Sequence, residues 1–179
     1  MLFRSRQDQT VSRYATFADL LGYCELSANP VGRIVLHVFG AAAPERERLS
    51  DLVCTALQLA EHWQDVAEDY RDGRIYLPAV DMATHGCTEQ DLAEPQASSR
   101  LRALIAFEVA RAKGLLDEGA PLVGALSGTA RLAVAGYLAG GRAALAAIES
   151  ADYDVLAATP RPSKARTLTE LSRAFIRGR

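Results

Sequence analysis

The chain of 179 residues is long enough for one domain with a substantial core, and its formal net charge of −2 disfavours a general nucleic-acid binder. Hydrophobic residues make up 49% of the chain and aromatic residues only 7%, a balance that favours helices over sheets. The three cysteines include no C-x-x-C pair, which argues against a disulfide framework or a zinc site and favours a reducing cytosol.

Apolar residues recur at helical spacing from near the N-terminus, which predicts a helix over residues 11–28. The Asn29-Pro30 pair should interrupt this helix, because proline lacks a backbone donor and restricts the residue before it. A second apolar helix over 31–39 follows. The small residues up to Pro44 then form a connection.

The next helix is predicted to start near Pro44 or Ser50 and to run to about Asp72, with Gly73 as its C-cap. An irregular loop should follow over residues 73–95. Within this loop we expect one short helix, at Thr88–Leu92, in which Thr88 caps the first turn and Asp91 completes a capping box.

The last third of the chain is also expected to be helical. A long amphipathic helix should begin at Ser98 or Ser99 and end near Glu118, and another amphipathic helix should cover 163–177. Between them, 120–149 is rich in alanine and glycine, which indicates close helix–helix contact. With no convincing strand pair or internal repeat, the sequence predicts a single all-α domain over 1–179, with about six helices.

Two observations bear on location. No signal peptide is recognisable at the N-terminus. The most apolar stretch, residues 120–148, is interrupted by Arg131 and Arg142, so no uncharged run approaches the ~20 residues of a spanning helix. We therefore expect a cytoplasmic protein. The basic segment 161–179 predicts either peripheral contact with an acidic membrane or an ordinary solvated helix face.

The acidic stretch 61–72 carries the strongest chemical signal. Asp65 and Asp69 are four residues apart, so both carboxylates project from one face of a helix, and Glu61 lies one turn earlier. Like charges at this spacing destabilise a helix, and a divalent cation would offset their repulsion. Mg²⁺ prefers oxygen ligands and typically binds one or two carboxylates together with phosphate groups. A plain solvated acidic face is the alternative.

Five segments together resemble the squalene/phytoene synthase family. Residues 58–59, 64–69 and 73–78 are similar to the second aspartate-rich motif of this family, and 23–33 resembles its preceding helix. The Ser-Ala-Asn-Pro-Val-Gly-Arg form of that helix is most similar to the branch that makes hydroxysqualene or squalene for bacterial hopanoids. Residues 153–164 are also family-like, so that the resemblance covers essentially residues 7–177.

The resemblance implies an all-α isoprenoid-synthase bundle in which Mg²⁺ bridges aspartates to a prenyl diphosphate, such as farnesyl or presqualene diphosphate. It implies catalytic roles for Asp65, Asp69 and Tyr23, and metal ligation by Asp65 and Asp69. The family usually carries asparagine where this chain has Glu61, whose extra carboxylate is predicted either to be a third metal ligand or to disturb the site. The substrate-binding residues that it implies are Arg33, Gln58, Arg74 and Tyr76. The aromatic side chains that could shelter a carbocation, for which core packing is the alternative role, are Tyr23, Phe39, Trp63 and Tyr76.

The family has a first aspartate-rich motif on an earlier helix, and no D-x-x-x-D precedes residue 65 here. We therefore expect the chain to correspond to the C-terminal part of a synthase, lacking roughly its first third. An apolar surface left uncovered in this way predicts self-association. The second hypothesis is a truncated, catalytically silent helical domain that binds prenyl chains or a partner subunit.

Overall fold

The computed structural model describes residues 10–177, so the sequence features assigned to residues 1–9 and 178–179 lie outside the described part. Six helices of ten or more residues occur within it, as expected. The long helices are α1 (Phe17–Ser27), α2 (Asn29–Val38), α3 (Pro44–Gln64), α6 (Ser99–Gly119), α8 (Gly128–Ser150) and α9 (Lys164–Arg177). The short ones are α4 (Val66–Arg71), α5 (Ala79–Thr84), α7 (Pro121–Gly124) and a 3₁₀-helix at Glu89–Ala93.

The first helix begins at Phe17, and the predicted start at residue 11 is wrong. Thr16 sets the boundary, because its hydroxyl accepts a hydrogen bond from the Asp19 N–H at 3.2 Å while the Asp19 carboxylate accepts one from the Thr16 N–H at 2.9 Å. This capping box satisfies the backbone N–H groups of both Thr16 and Asp19. The preceding residues are non-helical, and Arg13 forms an isolated parallel bridge with Ile75.

The predicted interruption at Asn29-Pro30 is confirmed, since α1 ends at Ser27 and α2 begins at Asn29. The helix predicted to reach Asp72 is instead broken at Asp65, whose φ of −102° and ψ of 16° separate α3 from α4. The Asp69 N–H still donates to the Asp65 carbonyl oxygen at 2.8 Å. The two aspartates therefore keep one-turn spacing across the break.

Two short elements lie in the segment predicted to be mostly irregular. The Thr88 capping box is confirmed, because the Asp91 carboxylate accepts from the Thr88 N–H at 2.7 Å and its hydroxyl at 2.9 Å. The helix that follows it is a 3₁₀-helix. Helix α5 was not predicted, since its six residues are too few to show a periodic pattern.

Helix α3 is the centre of the bundle and packs against α2, α6 and α8, while α9 lies along α8. The close contact predicted for the glycine-rich segment is confirmed at Gly141, where a β-carbon would lie 2.7 Å from Leu57 Cδ2. By length and composition α8 is the one helix in the described part that could cross a membrane, but 50% of its apolar window is buried inside the bundle.

Candidate functional site

The segment 73–78, called the strap below, crosses the C-terminal end of α3. Gly73 makes the reversal after α4, with a φ of +78° that favours glycine. The strap is then held on two sides, because the Arg74 N–H donates to the Asp69 carbonyl oxygen at 2.8 Å and the Ile75 N–H to that of Ser12 at 2.9 Å.

The strap and the helix end enclose a narrow crevice. Three of the residues implied by the family resemblance, Asp69, Arg74 and Tyr76, line it together with His62. The His62 Nδ1 lies 3.8 Å from Asp69 Oδ2. The structure thus brings a carboxylate, a guanidinium and an aromatic ring to one place.

His62 connects two more of the predicted residues, Gln58 and Tyr23, to this crevice. Its ring stacks on Tyr76 with centroids 3.6 Å apart and an interplanar angle of 13°, and its Nε2 lies 3.1 Å from the Gln58 amide nitrogen. Tyr23 packs beside both rings, at 5.9 Å from His62 and 5.8 Å from Tyr76. Sequence reasoning gave His62 no part in the site; its position four residues after Gln58 on one helix was the available signal.

The acidic groups beside the crevice repel each other. Burial raises the pKa of Asp65, and the nearby charges of Asp69 and Glu68 raise it further, while Arg161 and His62 oppose the shift. The Arg161 segment is fixed there because the Gln64 amide donates to the Pro160 carbonyl oxygen. A second cation near these carboxylates would relieve their repulsion.

Glu61 is exposed on the last turn of α3. Among residues 10–177 no group of three or more histidine, cysteine, aspartate or glutamate side chains could hold a metal ion, so Glu61, Asp65 and Asp69 do not form a ready three-ligand site. Asp65 and Asp69 do fit Mg²⁺, which needs only one or two carboxylates when phosphate oxygens and waters complete its shell.

An apolar cavity of about 170 Å³ lies between α2, α3, α7 and α8. Ser50, Cys54 and Leu57 of α3 contribute to its wall. The same helical spacing continues to Glu61 and Asp65, so that one face of α3 is apolar at one end and acidic at the other. The residues that line the cavity from other helices include Val31, Val35, Leu122, Val134 and Tyr137.

Three residues singled out from the sequence lie outside the crevice. Arg33 is held by Asp51 in a bidentate pair, with Nε–Oδ1 and Nη2–Oδ2 distances of 3.0 and 2.5 Å, in a separate groove of about 520 Å³. Phe39, after the end of α2, is 40% exposed, and Trp63 is fully buried in the core. None of the three lines the crevice beside Asp69.

Comparisons with known proteins identify relatives of this chain. A family model described as "Squalene/phytoene synthase" matches residues 1–168. The hydroxysqualene synthase of Zymomonas mobilis subsp. mobilis is 41% identical over 112 residues, which cover 62% of this chain and 37% of that protein. The chloroplastic phytoene synthase 2 of Zea mays is 33% identical over 178 residues, which cover 96% of this chain and 44% of that protein.

A crystal structure of a squalene synthase from Alicyclobacillus acidocaldarius superimposes with a TM-score of 0.81 and 44% identity, covering 84% of this chain and 57% of that chain. The two chains share the isoprenoid-synthase helical fold that the sequence predicts. This chain spans less than half the length of these two curated relatives.

Proposed function

The chain belongs to the squalene/phytoene synthase family, and from this premise we propose that it acts as a Mg²⁺-dependent prenyl synthase. The proposed substrates are farnesyl diphosphate and presqualene diphosphate. The proposed product is hydroxysqualene or squalene, for terpenoid (hopanoid) biosynthesis. The hydroxysqualene relative at 41% identity supports this choice of product.

The observation that carries the proposal is the two-ended face of α3. A prenyl diphosphate has an apolar tail and an anionic head, and this face offers an apolar cavity wall at Leu57 and a carboxylate at Asp65 where α3 ends, with the Asp69 carboxylate one turn further on α4. Leu57 and Asp65 are eight residues apart, or about 12 Å along a helix. A single substrate could therefore occupy both ends of the face.

Asp65 and Asp69 would hold Mg²⁺, which neutralises diphosphate charge and so helps pyrophosphate to leave. Arg74 lies in the crevice beside Asp69, where its guanidinium would bind phosphate oxygens. The buried rings of Tyr23 and Tyr76 would shield a developing carbocation from water and attract it through their π faces.

One observation favours the second candidate, a helical domain that binds prenyl chains without turnover. No three-ligand group exists in the described part of the chain, so the carboxylates here supply at most part of a metal cluster. Binding of a prenyl diphosphate without release of pyrophosphate would identify this case.

The test is pyrophosphate release from farnesyl or presqualene diphosphate in the presence of Mg²⁺. We expect Asp65→Asn and Asp69→Asn to lower the rate by at least about 100-fold, because each removes a charge that holds the metal. Asp72→Asn is the matched control, since Asp72 is exposed just beyond α4. Undiminished turnover in Asp65→Asn would overturn the metal assignment.

A further inference from the structure

A partly buried ionic cluster lies where the strap continues into α5. Arg111 on α6 donates to the carboxylate of Asp81 on α5, with Nη1–Oδ2 and Nη2–Oδ1 distances of 2.7 and 3.4 Å. The Arg111 guanidinium lies between the rings of Phe17 and Phe107, at 4.4 and 4.2 Å from their centroids. The cluster therefore ties the start of α1, the whole of α5 and the middle of α6 together.

Glu108 lies inside this cluster with its side chain completely buried. Its Oε1 is 3.4 Å from Arg111 Nη1, while no donor reaches its buried Oε2. An ionised Glu108 would leave that acceptor unsatisfied and would set two carboxylates against one guanidinium. A protonated Glu108 removes both problems, because its O–H can donate to the Asp81 carboxylate and the cluster becomes neutral.

The charges around Glu108 support the protonated form. Burial raises the pKa of Glu108 to about 8; Arg111 on the same helix opposes the shift, and Asp81 on α5 adds to it by repulsion and by a hydrogen bond. His85 closes the far end of α5, where its Nδ1 lies 2.9 Å from the Asp81 carbonyl oxygen and its ring 5.3 Å from that of Phe107.

We infer that Glu108 is a positioning residue whose protonated carboxyl donates a hydrogen bond to the Asp81 carboxylate, which keeps α5 and the strap docked on α6. Asp81 is three residues after Pro78, the last residue of the strap, so its attachment fixes the C-terminal end of the segment that carries Arg74 and Tyr76. The identity of the ligand that the strap would bind rests on the proposed function. The docking of the strap through Glu108 and Asp81 does not rest on it.

Docking of α5 and the strap on α6 should depend on pH. An undocked Glu108 would titrate near its ordinary pKa, so the docked state binds the proton more tightly over the range from about 4.5 to about 8. Stability of docking is therefore fully present below that range and is lost as the pH rises through it. The opening equilibrium should increase by up to about tenfold per pH unit and level off above pH 8.

Amide hydrogen exchange over residues 73–84 measures this opening without substrate, after correction for the intrinsic exchange rate. Between about pH 5.5 and pH 7.5 we expect protection in the wild-type protein to fall by up to about 100-fold. Glu108→Gln should remove this dependence, because the carboxamide donates to Asp81 at every pH. Glu149→Gln is the control, since Glu149 pairs with Lys113 at a partly exposed site and should behave like the wild type.

Carboxyl ¹³C NMR of the wild-type protein gives a second measurement that requires no folded Glu108 variant. One glutamate should titrate near pH 8, and Asp81→Asn should move that titration to lower pH. A spectrum with every glutamate titrating below about pH 6, or exchange in Glu108→Gln that still follows pH as in the wild type, would overturn the inference. Neither readout uses prenyl synthase activity, so failure of the proposed function would leave the result intact.

Discussion

At Asp65 a break in the helix and a cluster of charges coincide. Its backbone ends α3, and its carboxyl lies between repelling groups, Asp69 and Glu68, and the attracting groups Arg161 and His62. The raised pKa of Asp65 is thus the sum of burial and of two opposed sets of neighbours. Each contribution can be changed by one substitution.

We predict that Asp69→Asn lowers the pKa of Asp65, because it removes the larger of the two repelling charges. Arg161→Gln should shift the same pKa upward, since it removes the larger of the two attractive contributions. Carboxyl ¹³C NMR titration of the metal-free protein measures both changes. An Asp65 titration that is the same in all three proteins would mean that burial alone raises the pKa.

Secondary structure followed from the sequence at two local chemical signals, whereas a third, the Thr16–Asp19 capping box, was not used and the start of α1 was misplaced. Asn29-Pro30 marks the boundary of α2, because proline lacks a backbone donor and restricts the residue before it. Thr88 with Asp91 marks that of the 3₁₀-helix through hydrogen bonds between residues three apart. The break at Asp65 has no such signal. It accompanies the strap, whose Ile75 N–H bonds to the carbonyl oxygen of the distant Ser12, a tertiary feature that propensity does not encode.

Some helices of the bundle pack so closely that a β-carbon does not fit between them, and Gly119 is the clearest example. A β-carbon at the end of α6 would lie 2.7 Å from Val53 Cγ2 and 3.1 Å from the Leu49 carbonyl oxygen. Backbone atoms of α3 cannot move aside as a flexible side chain can. Gly114 on the same helix has no neighbouring heavy atom within 4 Å of the equivalent position.

We predict that Gly119→Ala lowers the free energy of unfolding by about 1–3 kcal/mol, because α3 and α6 must separate to accept the methyl group. Gly114→Ala should raise it by about 0.5–1 kcal/mol, since alanine is the better helix former at an open site. Urea unfolding followed by circular dichroism measures both. Equal effects of the two substitutions would show that helix propensity, and not interhelical distance, determines the change in the free energy of unfolding.

Across the whole molecule, the chemistry of the candidate site was more predictable than its geometry. Spacing placed Asp65 and Asp69 one turn apart, and the family resemblance pointed to Arg74 and Tyr76. The crevice that holds Asp69, Arg74 and Tyr76 depends on the strap folding back over α3, and on His62 stacking against Tyr76. Contacts between residues this far apart in sequence carry no periodic signal, which is also why Arg33 was grouped with a crevice that it does not line.

The outer face of α2 exposes large apolar side chains to solvent. Val31, Ile34 and Val38 lie on one face of this helix and are 55%, 61% and 77% exposed. Their face adjoins the apolar cavity, to whose wall Val31 contributes. Contiguous exposed apolar surface of this kind favours association, because contact removes it from water.

We predict that the isolated 179-residue protein self-associates through this face of α2. Ile34→Glu should weaken association by at least about tenfold, because burial of an unpaired carboxylate in the contact costs more than about 1.4 kcal/mol. Leu168→Glu is the control, since Leu168 is 66% exposed on α9 and outside the α2 face. Sedimentation velocity over a concentration series measures the association constant. A wild-type protein that stays a monodisperse monomer and binds no hydrophobic dye would contradict the prediction, as would equal weakening by the two substitutions.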